Sequence, residues 1–227
     1  MISGATRGIG HATAKLFWEN GWQILNLART ELAEFSARNL LTDLALPRWE
    51  EDIAGKLGGA LQGATQVCLV HNAGQALGGS VFDASVADLE RSLQVNLLAP
   101  FRLTQLVKPY LHAGSSVLFL GSTLSEKAVA NYSPYVISKH ALIGLMRSTC
   151  QDLNGTGVHT ACVCPGFVDT PLLRDRCDEA TLQRISSWNT MGRLIQAEEI
   201  AQLLLFCAQN PAINGSVLHA NLGQIER

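Results

Sequence analysis

Ser3-Gly4-Ala5-Thr6-Arg7-Gly8-Ile9-Gly10 runs directly into an amphipathic stretch at 11–19. Glycines at positions 4, 8 and 10 allow a tight turn and let a ligand approach backbone N–H groups closely. The unpaired N–H groups and the positive end of the following helix favour a phosphate or pyrophosphate there. The spacing is G-x-x-x-G-x-G rather than G-x-G-x-x-G, and it lacks the G-K-[S/T] ending of a nucleoside triphosphate loop. Gly4, Thr6, Arg7, Gly8, Ile9 and Gly10 are therefore expected to contact a dinucleotide.

Working outward, short apolar runs alternate with longer helical patterns. Strands are predicted at 23–28, 39–43, 66–71, 115–120, 158–164 and 216–220, and helices at 8–19, 48–62, 86–112, 134–153 and 197–208. Such alternation means an α/β fold: one doubly wound, Rossmann-type domain spanning 1–227, mostly parallel, with helices on both faces. Two regions follow strand ends and have loop-like composition, 74–80 and the mixed-charge segment 171–193, which is expected to cover the substrate.

Composition narrows the function. With 47% hydrophobic and 16% charged residues, a compact protein is expected rather than a disordered one. A formal net charge of −2 argues against a nucleic-acid footprint. No apolar run reaches the ~18 residues of a membrane span, and no basic-then-apolar leader opens the chain, so a cytoplasmic protein is expected. The six cysteines show no paired framework, and no recognisable metal motif occurs. Cys162 and Cys164 alternate within an apolar run and should share one buried face.

The end of the second predicted strand reads Ala28-Arg29-Thr30. An NAD site usually places an acid there for the ribose 2′-hydroxyl; Ala28 offers none, whereas Arg29 could pair with a 2′-phosphate. Arg7 is a second candidate for that phosphate, so NADP(H) is favoured over NAD(H).

The chemistry is carried by Ser122, Tyr135 and Lys139. Ser133-Pro134 reads as a capping serine and a proline at the first helical position, which places Tyr135 in the first turn and Lys139 one turn on. A free phenol titrates near ~10. A neighbouring ammonium and the positive helix start both favour the phenolate, which could then exchange a proton with a carbonyl oxygen. Upstream, Pro100 has no N–H to give the Asn96 carbonyl, so that carbonyl is expected to be free at a kink and able to hold a water.

Taken in order, these residues resemble the short-chain dehydrogenase/reductase family in its compact form, including 3-oxoacyl-(acyl-carrier-protein) reductase-like members. The resemblance rests on Ser3–Gly10, Asp43-Leu44, Asn72-Ala73-Gly74, Asn96, Ser122, Tyr135, Lys139 and Pro165-Gly166-Phe167-Val168-Asp169-Thr170. It implies an oxidoreductase acting on a small carbonyl or alcohol substrate with a nicotinamide cofactor. Ser122 would hold the carbonyl oxygen, Tyr135 would be the general acid or base, and Lys139 would bind the nicotinamide ribose. Asn96 would hold a relay water. Asp43 and Leu44 would bind adenine; Asn72, Ala73 and Gly74 would pack beside the cofactor. Pro165, Gly166 and Val168 would also contact the cofactor, and Thr170 would orient the carboxamide. The family also implies a homo-oligomer, a dimer or tetramer, formed through the helices at 86–112 and 134–153.

Three departures stand out. Only Met1-Ile2-Ser3 is left for the first strand, about half the family length, so either the sheet centre is trimmed or native residues are missing. Asn221-Leu222-Gly223 has Leu where a second Gly is usual. The segment between the second and third strands is short and predicts a helix of one or two turns.

Overall fold

The computed structural model describes residues 1–225. Its main sheet contains β1 (Ile2–Ser3), β2 (Leu25–Ala28), β3 (Arg38–Leu41), β4 (Cys68–His71), β5 (Ser116–Leu120) and β6 (His159–Pro165). A small parallel pair, β7 (Val168–Asp169) and β8 (Ile195–Gln196), stands apart, and β9 (Ser216–Ala220) completes the main sheet. The order is β3-β2-β1-β4-β5-β6-β9, with every neighbouring pair parallel. This is the doubly wound arrangement expected. The order reverses between β1 and β4, and the crevice beyond their carboxyl ends is where such sheets bind ligands.

Both faces of the sheet are covered, and the alternation of side chains explains how. Along β5, Val117 and Phe119 enter one core while Leu118 and Leu120 enter the other. The first core lies under α2 (Trp49–Leu61), α4 (Ala99–Val107) and α5 (Ser133–Asp152); the second lies under α1 (Gly8–Glu19) and α8 (Ala197–Gln209). Strands buried on both faces read as near-continuous apolar runs, as at Val117–Leu120 in β5 and Ala161–Cys164 in β6. Cys162 and Cys164 face the first core with their Sγ atoms 3.8 Å apart. Between β7 and β8 lie two short helices, α6 (Pro171–Arg174) and α7 (Glu179–Ser186), on a third, small apolar cluster around Leu182, Ile185 and Leu194. Among the described residues, no helix is long and apolar enough to cross a membrane.

Two helical expectations are corrected. Residues 29–37 hold no helix. Nine residues are too few to leave the sheet, wind a turn and return, so the loop is pinned by side chains instead. The buried Asn26 amide donates to Thr30 O (3.2 Å) and Asn39 Oδ1 (2.8 Å), and Asn39 in turn holds both backbone groups of Leu32. Phe35 and Ser36 take left-handed conformations (φ 60° and 49°), which end any right-handed winding. The predicted helix 86–112 is also broken: α3 (Val86–Leu93) leads into a π turn at Gln94–Leu98, then α4, then a 3₁₀ turn at Lys108–Tyr110. The expected kink at Pro100 takes the form of this π turn, in which the Ala99 N–H reaches back to Gln94 O.

At the end of β4, His71 is buried against Phe119, with Nε2 2.9 Å from Thr104 Oγ1. Its Nδ1 has no partner among the described residues. Burial pulls its pKa down from 6.5 to about 3. Between those values the unfolded chain holds a proton that the folded chain does not, so stability falls as pH falls through that window. Between pH 7 and 4 this group should remove about 3 kcal/mol of stability, and His71→Gln should recover most of that loss. Urea unfolding at both pH values checks this; an equally steep fall in His71→Gln would assign the acid sensitivity elsewhere.

Candidate active site

The site begins where β1 ends. Gly4 and Gly8 take positive φ values of 72° and 55°. A Cβ at Gly10 would stand 2.1 Å from Gly4 O and 2.5 Å from Asn72 Nδ2, so no side chain fits there. The first turn of α1 carries no acidic residue, and its N-cap, Arg7, makes no side-chain cap. A tight glycine cradle opening onto uncapped helix N–H groups fits the pyrophosphate of a dinucleotide. Thr6 and Ile9 are half-buried beside it, and Arg7 is exposed.

The turn after β4 is stitched to this cradle. Ser3 Oγ accepts from the N–H groups of Asn72 and Ala73, both at 3.0 Å. The Asn72 amide donates to Ser3 O and Gly4 O, both at 2.9 Å. Beyond it, Asn96 clamps Gln75: its Oδ1 accepts from Gln75 N (2.9 Å) and its Nδ2 donates to Gln75 O (2.8 Å). The same amide donates to Ser138 Oγ at 2.9 Å. The Asn96 side chain is thus a structural tie, and its backbone sits in the π turn.

Ser122 stands just past β5 and opens a 3₁₀ turn, Thr123–Ser125. Its Oγ accepts from Leu124 N, and Ser125 Oγ accepts from Ser122 N, both at 3.1 Å. Tyr135 lies in the first turn of α5, with Lys139 Nζ 5.7 Å from its ring centroid. Lys139 is only 5% exposed, and its ammonium donates to Leu120 O at 2.7 Å. That bond ties α5 to the end of β5, two residues before Ser122. A Cβ at Gly74 would lie 3.3 Å from Asn96 Oδ1 and 3.7 Å from Lys139 Nζ, so the two walls meet at a glycine. Ser133 does not cap α5 as expected. Its Oγ and N–H both donate to Gly79 O (3.0 and 2.9 Å), fixing the 74–80 loop beside Tyr135.

The remaining expected residues are placed variously. Thr170 packs its methyl over Gly8, 3.2 Å from where a Cβ would lie. Pro165 ends β6 and Val168 is buried, while Gly166 N bonds Ala220 O at 3.0 Å. Asp43 is half-buried, with Oδ1 accepting from Ala45 N at 3.0 Å. Leu44 buries its side chain in the first core, and its carbonyl accepts from Gln94 Nε2 at 3.0 Å, so only its backbone could meet a base and that backbone is already tied to the π turn. Arg29 is exposed at the end of β2. Leu222, where glycine was expected, takes φ 54°, a left-handed conformation that explains the usual glycine; its side chain packs on the second core.

Sequence reasoning missed Gly121, Ser125 and Ser138. A Cβ at Gly121 would lie 2.6 Å from Cys164 Sγ and 2.9 Å from Cys162 Sγ, so the thiol pair supports the turn that carries Ser122. The thiol hydrogen bond from Cys162, helped by the Ser122 N–H, holds Cys164 down to about 7. That same bond and burial push Cys162 up. Ser125 had a signal, the three-residue spacing of a capping box. Ser138, buried between Asn96 and the Tyr135 carbonyl, had none.

A family model described as enoyl-(acyl carrier protein) reductase matches residues 4–224. The chain is 30% identical to sulfoacetaldehyde reductase 2 of Chromohalobacter salexigens, covering 100% of this chain and 92% of that protein. It is 27% identical to the 3-oxoacyl-(acyl-carrier-protein) reductase of Thermotoga maritima, over 99% of this chain and 96% of the other. A short-chain dehydrogenase from Burkholderia cenocepacia, solved in complex with NADP, superposes with a TM-score of 0.85 at 26% identity, covering 98% and 96% of the two chains.

Because Gly10 has no room for a methyl group, Gly10→Ala should cost about 2–3 kcal/mol of stability through overpacking. Thermal unfolding should show a midpoint lowered by roughly 5–10 °C. An unchanged midpoint would show that the cradle relaxes freely and does not constrain its ligand.

Proposed function

Because this chain belongs to the short-chain dehydrogenase/reductase family of nicotinamide-dependent oxidoreductases acting on carbonyl and hydroxyl groups, we propose that it is an NADP(H)-dependent carbonyl reductase or secondary-alcohol dehydrogenase. The observation that carries this reading is the buried Lys139 ammonium, 5.7 Å from the Tyr135 ring and tied to the strand end before Ser122. The glycine cradle, Asn72-Ala73-Gly74, Thr170 and the Pro165–Val168 exit hold the dinucleotide, with Asp43 and the Leu44 backbone at its adenine end. When bound, the nicotinamide supplies or accepts the hydride.

The chain's own groups handle the oxygen and its proton. The Ser122 hydroxyl donates to the substrate carbonyl oxygen and fixes its position. Tyr135 Oη gives that oxygen a proton in reduction and takes it back in oxidation. The buried Lys139 ammonium stands 5.7 Å from the Tyr135 ring, where it would bind the nicotinamide ribose. The proton is replaced from solvent through a water on the Asn96 carbonyl, in the π turn.

Arg7 and Arg29 favour the 2′-phosphate of NADP(H), and the NADP complex of the Burkholderia relative supports the same cofactor. The lid segment 171–193 and the 74–80 loop bound the substrate side, with Leu124 and Phe167 apolar between them. In the lid, Arg174 and Arg176 alternate with Asp175, Asp178 and Glu179. This is not a basic face for an acidic carrier protein, so free small carbonyl compounds are favoured over carrier-bound 3-oxoacyl thioesters. Leu98, Phe101 and Ile137, each 41–47% exposed on the faces of α4 and α5 and the turn before them, support a homodimer or homotetramer.

Tyr135→Phe should lower carbonyl reduction by about 10²–10⁴-fold while leaving NADPH fluorescence titrations unchanged. Full activity in that variant would rule out proton transfer from this phenol, whereas no carbonyl turnover even in the unaltered protein would favour a non-catalytic nucleotide-binding role. Arg29→Asp should weaken NADPH about 10- to 100-fold and spare or improve NADH. Unchanged preference would turn the assignment to an NAD-linked dehydrogenase.

A further inference from the structure

The arginines of the lid differ in how their charge is met. Arg174 makes two bonds to Asp169, Nε to Oδ1 at 2.5 Å and Nη2 to Oδ2 at 2.7 Å. Arg193 makes two to Glu199, both at 2.7 Å. Arg184 lies within electrostatic reach of Asp178. Arg176 is met by a neutral group. It is exposed, and its Nη1 donates across the cleft to the backbone carbonyl of Ala76, on the opposite wall. No carboxylate lies within ion-pair distance of it among the described residues.

A neutral carbonyl satisfies one donor of a guanidinium and leaves its charge uncompensated. A carboxylate, sulfonate or phosphate would take two N–H groups at once and neutralise it. The position matters as much as the charge. Ala76 directly follows Gln75, which Asn96 clamps, and lies two residues from Gly74, beside Lys139 Nζ. Two residues span at most ~7 Å, so the guanidinium stands on the order of 10 Å from the buried ammonium. The far wall is rigid, because Gly79 is bonded to Ser133 at the start of α5.

We propose that Arg176 binds an oxyanion on the substrate, so that the compounds reduced are short oxo acids or aldehydes carrying a carboxylate, sulfonate or phosphate a few bonds from the carbonyl. The anion replaces the Ala76 carbonyl as the partner of Arg176. The reacting end then lies toward Ser122 and Tyr135. The substrate class rests on the carbonyl reductase reading above; the anion site itself does not.

The test separates the two. Glyoxylate, acetoacetate and 4-oxobutanoate, each against its ethyl ester, are titrated calorimetrically into the purified protein with and without NADP⁺. The same compounds are assayed for NADPH oxidation. At least one anion should bind 10-fold or more tighter than its ester. Arg176→Ala should weaken that anion about 10- to 100-fold and leave the ester and its turnover unchanged. Arg176→Lys should fall between, keeping the charge without the fork. Anion binding that is unaltered in Arg176→Ala would overturn the proposal. So would an equal loss for anion and ester, since Arg176 would then only hold the lid. Arg176-dependent anion binding in a protein that turns over no carbonyl would sink the reductase reading and leave the anion site standing. Tyr135-dependent reduction of neutral ketones with no Arg176-dependent anion binding would do the reverse.

Discussion

The structure turns on the bonds between Ser3 and Asn72. β1 contributes only two residues to the centre of the sheet, and its ladder contacts are correspondingly few. Four side-chain bonds, all within 3.0 Å, carry the junction instead: two into Ser3 Oγ, and two from the Asn72 amide to the carbonyls of Ser3 and Gly4. They fix the glycine cradle and the turn after β4 as one piece. Gly10 lacks a side chain because that piece occupies the space. Away from the crevice the same strand needs no such help, since Ile2 is sealed in the second core.

From that junction the site spreads by a chain of satisfied polar groups. Asn72 leads to Gly74, where a side chain would crowd Asn96 and Lys139, Asn96 holds Gln75 and Ser138, and Lys139 reaches the Leu120 carbonyl before the Ser122 turn. Asn96, Ser138 and Lys139 are each at most 5% exposed. Buried polar groups of this kind are costly unless paired, and once paired they resist displacement. Preorganisation is the result: the Ser122 hydroxyl and the Lys139 ammonium are held by main-chain anchors. The thiols of Cys162 and Cys164 serve the same end from below, filling the space under Gly121 that a side chain would otherwise claim.

Much of this was legible in the sequence because it depends on local rules. Strand alternation, the glycine spacing and the four-residue step from Tyr135 to Lys139 all follow from backbone geometry. The failures have a common cause, in that long-range partners redirected local signals. Ser133 had the chemistry of a cap, but the Gly79 carbonyl claimed its hydroxyl. Residues 29–37, between two parallel strands, were expected to hold a short helix, but Asn26 and Asn39 tied them down across the sheet. Pro100 correctly announced a break, yet a π turn formed where a plain kink was expected. Leu222 shows the opposite case: the unusual residue was visible in sequence, and only its backbone angle gives the reason glycine is preferred there.

The two sides of the cleft are built with different kinds of bond, and this bears on what each can encode. The cofactor wall is made of main-chain and buried side-chain hydrogen bonds, which tolerate few substitutions and therefore leave a readable pattern. The lid is held by a small apolar cluster, an edge contact between Phe167 and Trp188 at 5.8 Å, and surface ion pairs such as Arg174–Asp169 and Arg193–Glu199. Exposed pairs of that sort are screened by water and contribute little, so they can be exchanged or moved at little cost. On the function proposed above, reaction type is written in the rigid wall and substrate choice in the lid, where Arg176 meets a backbone carbonyl and, among the described residues, no carboxylate within ion-pair distance.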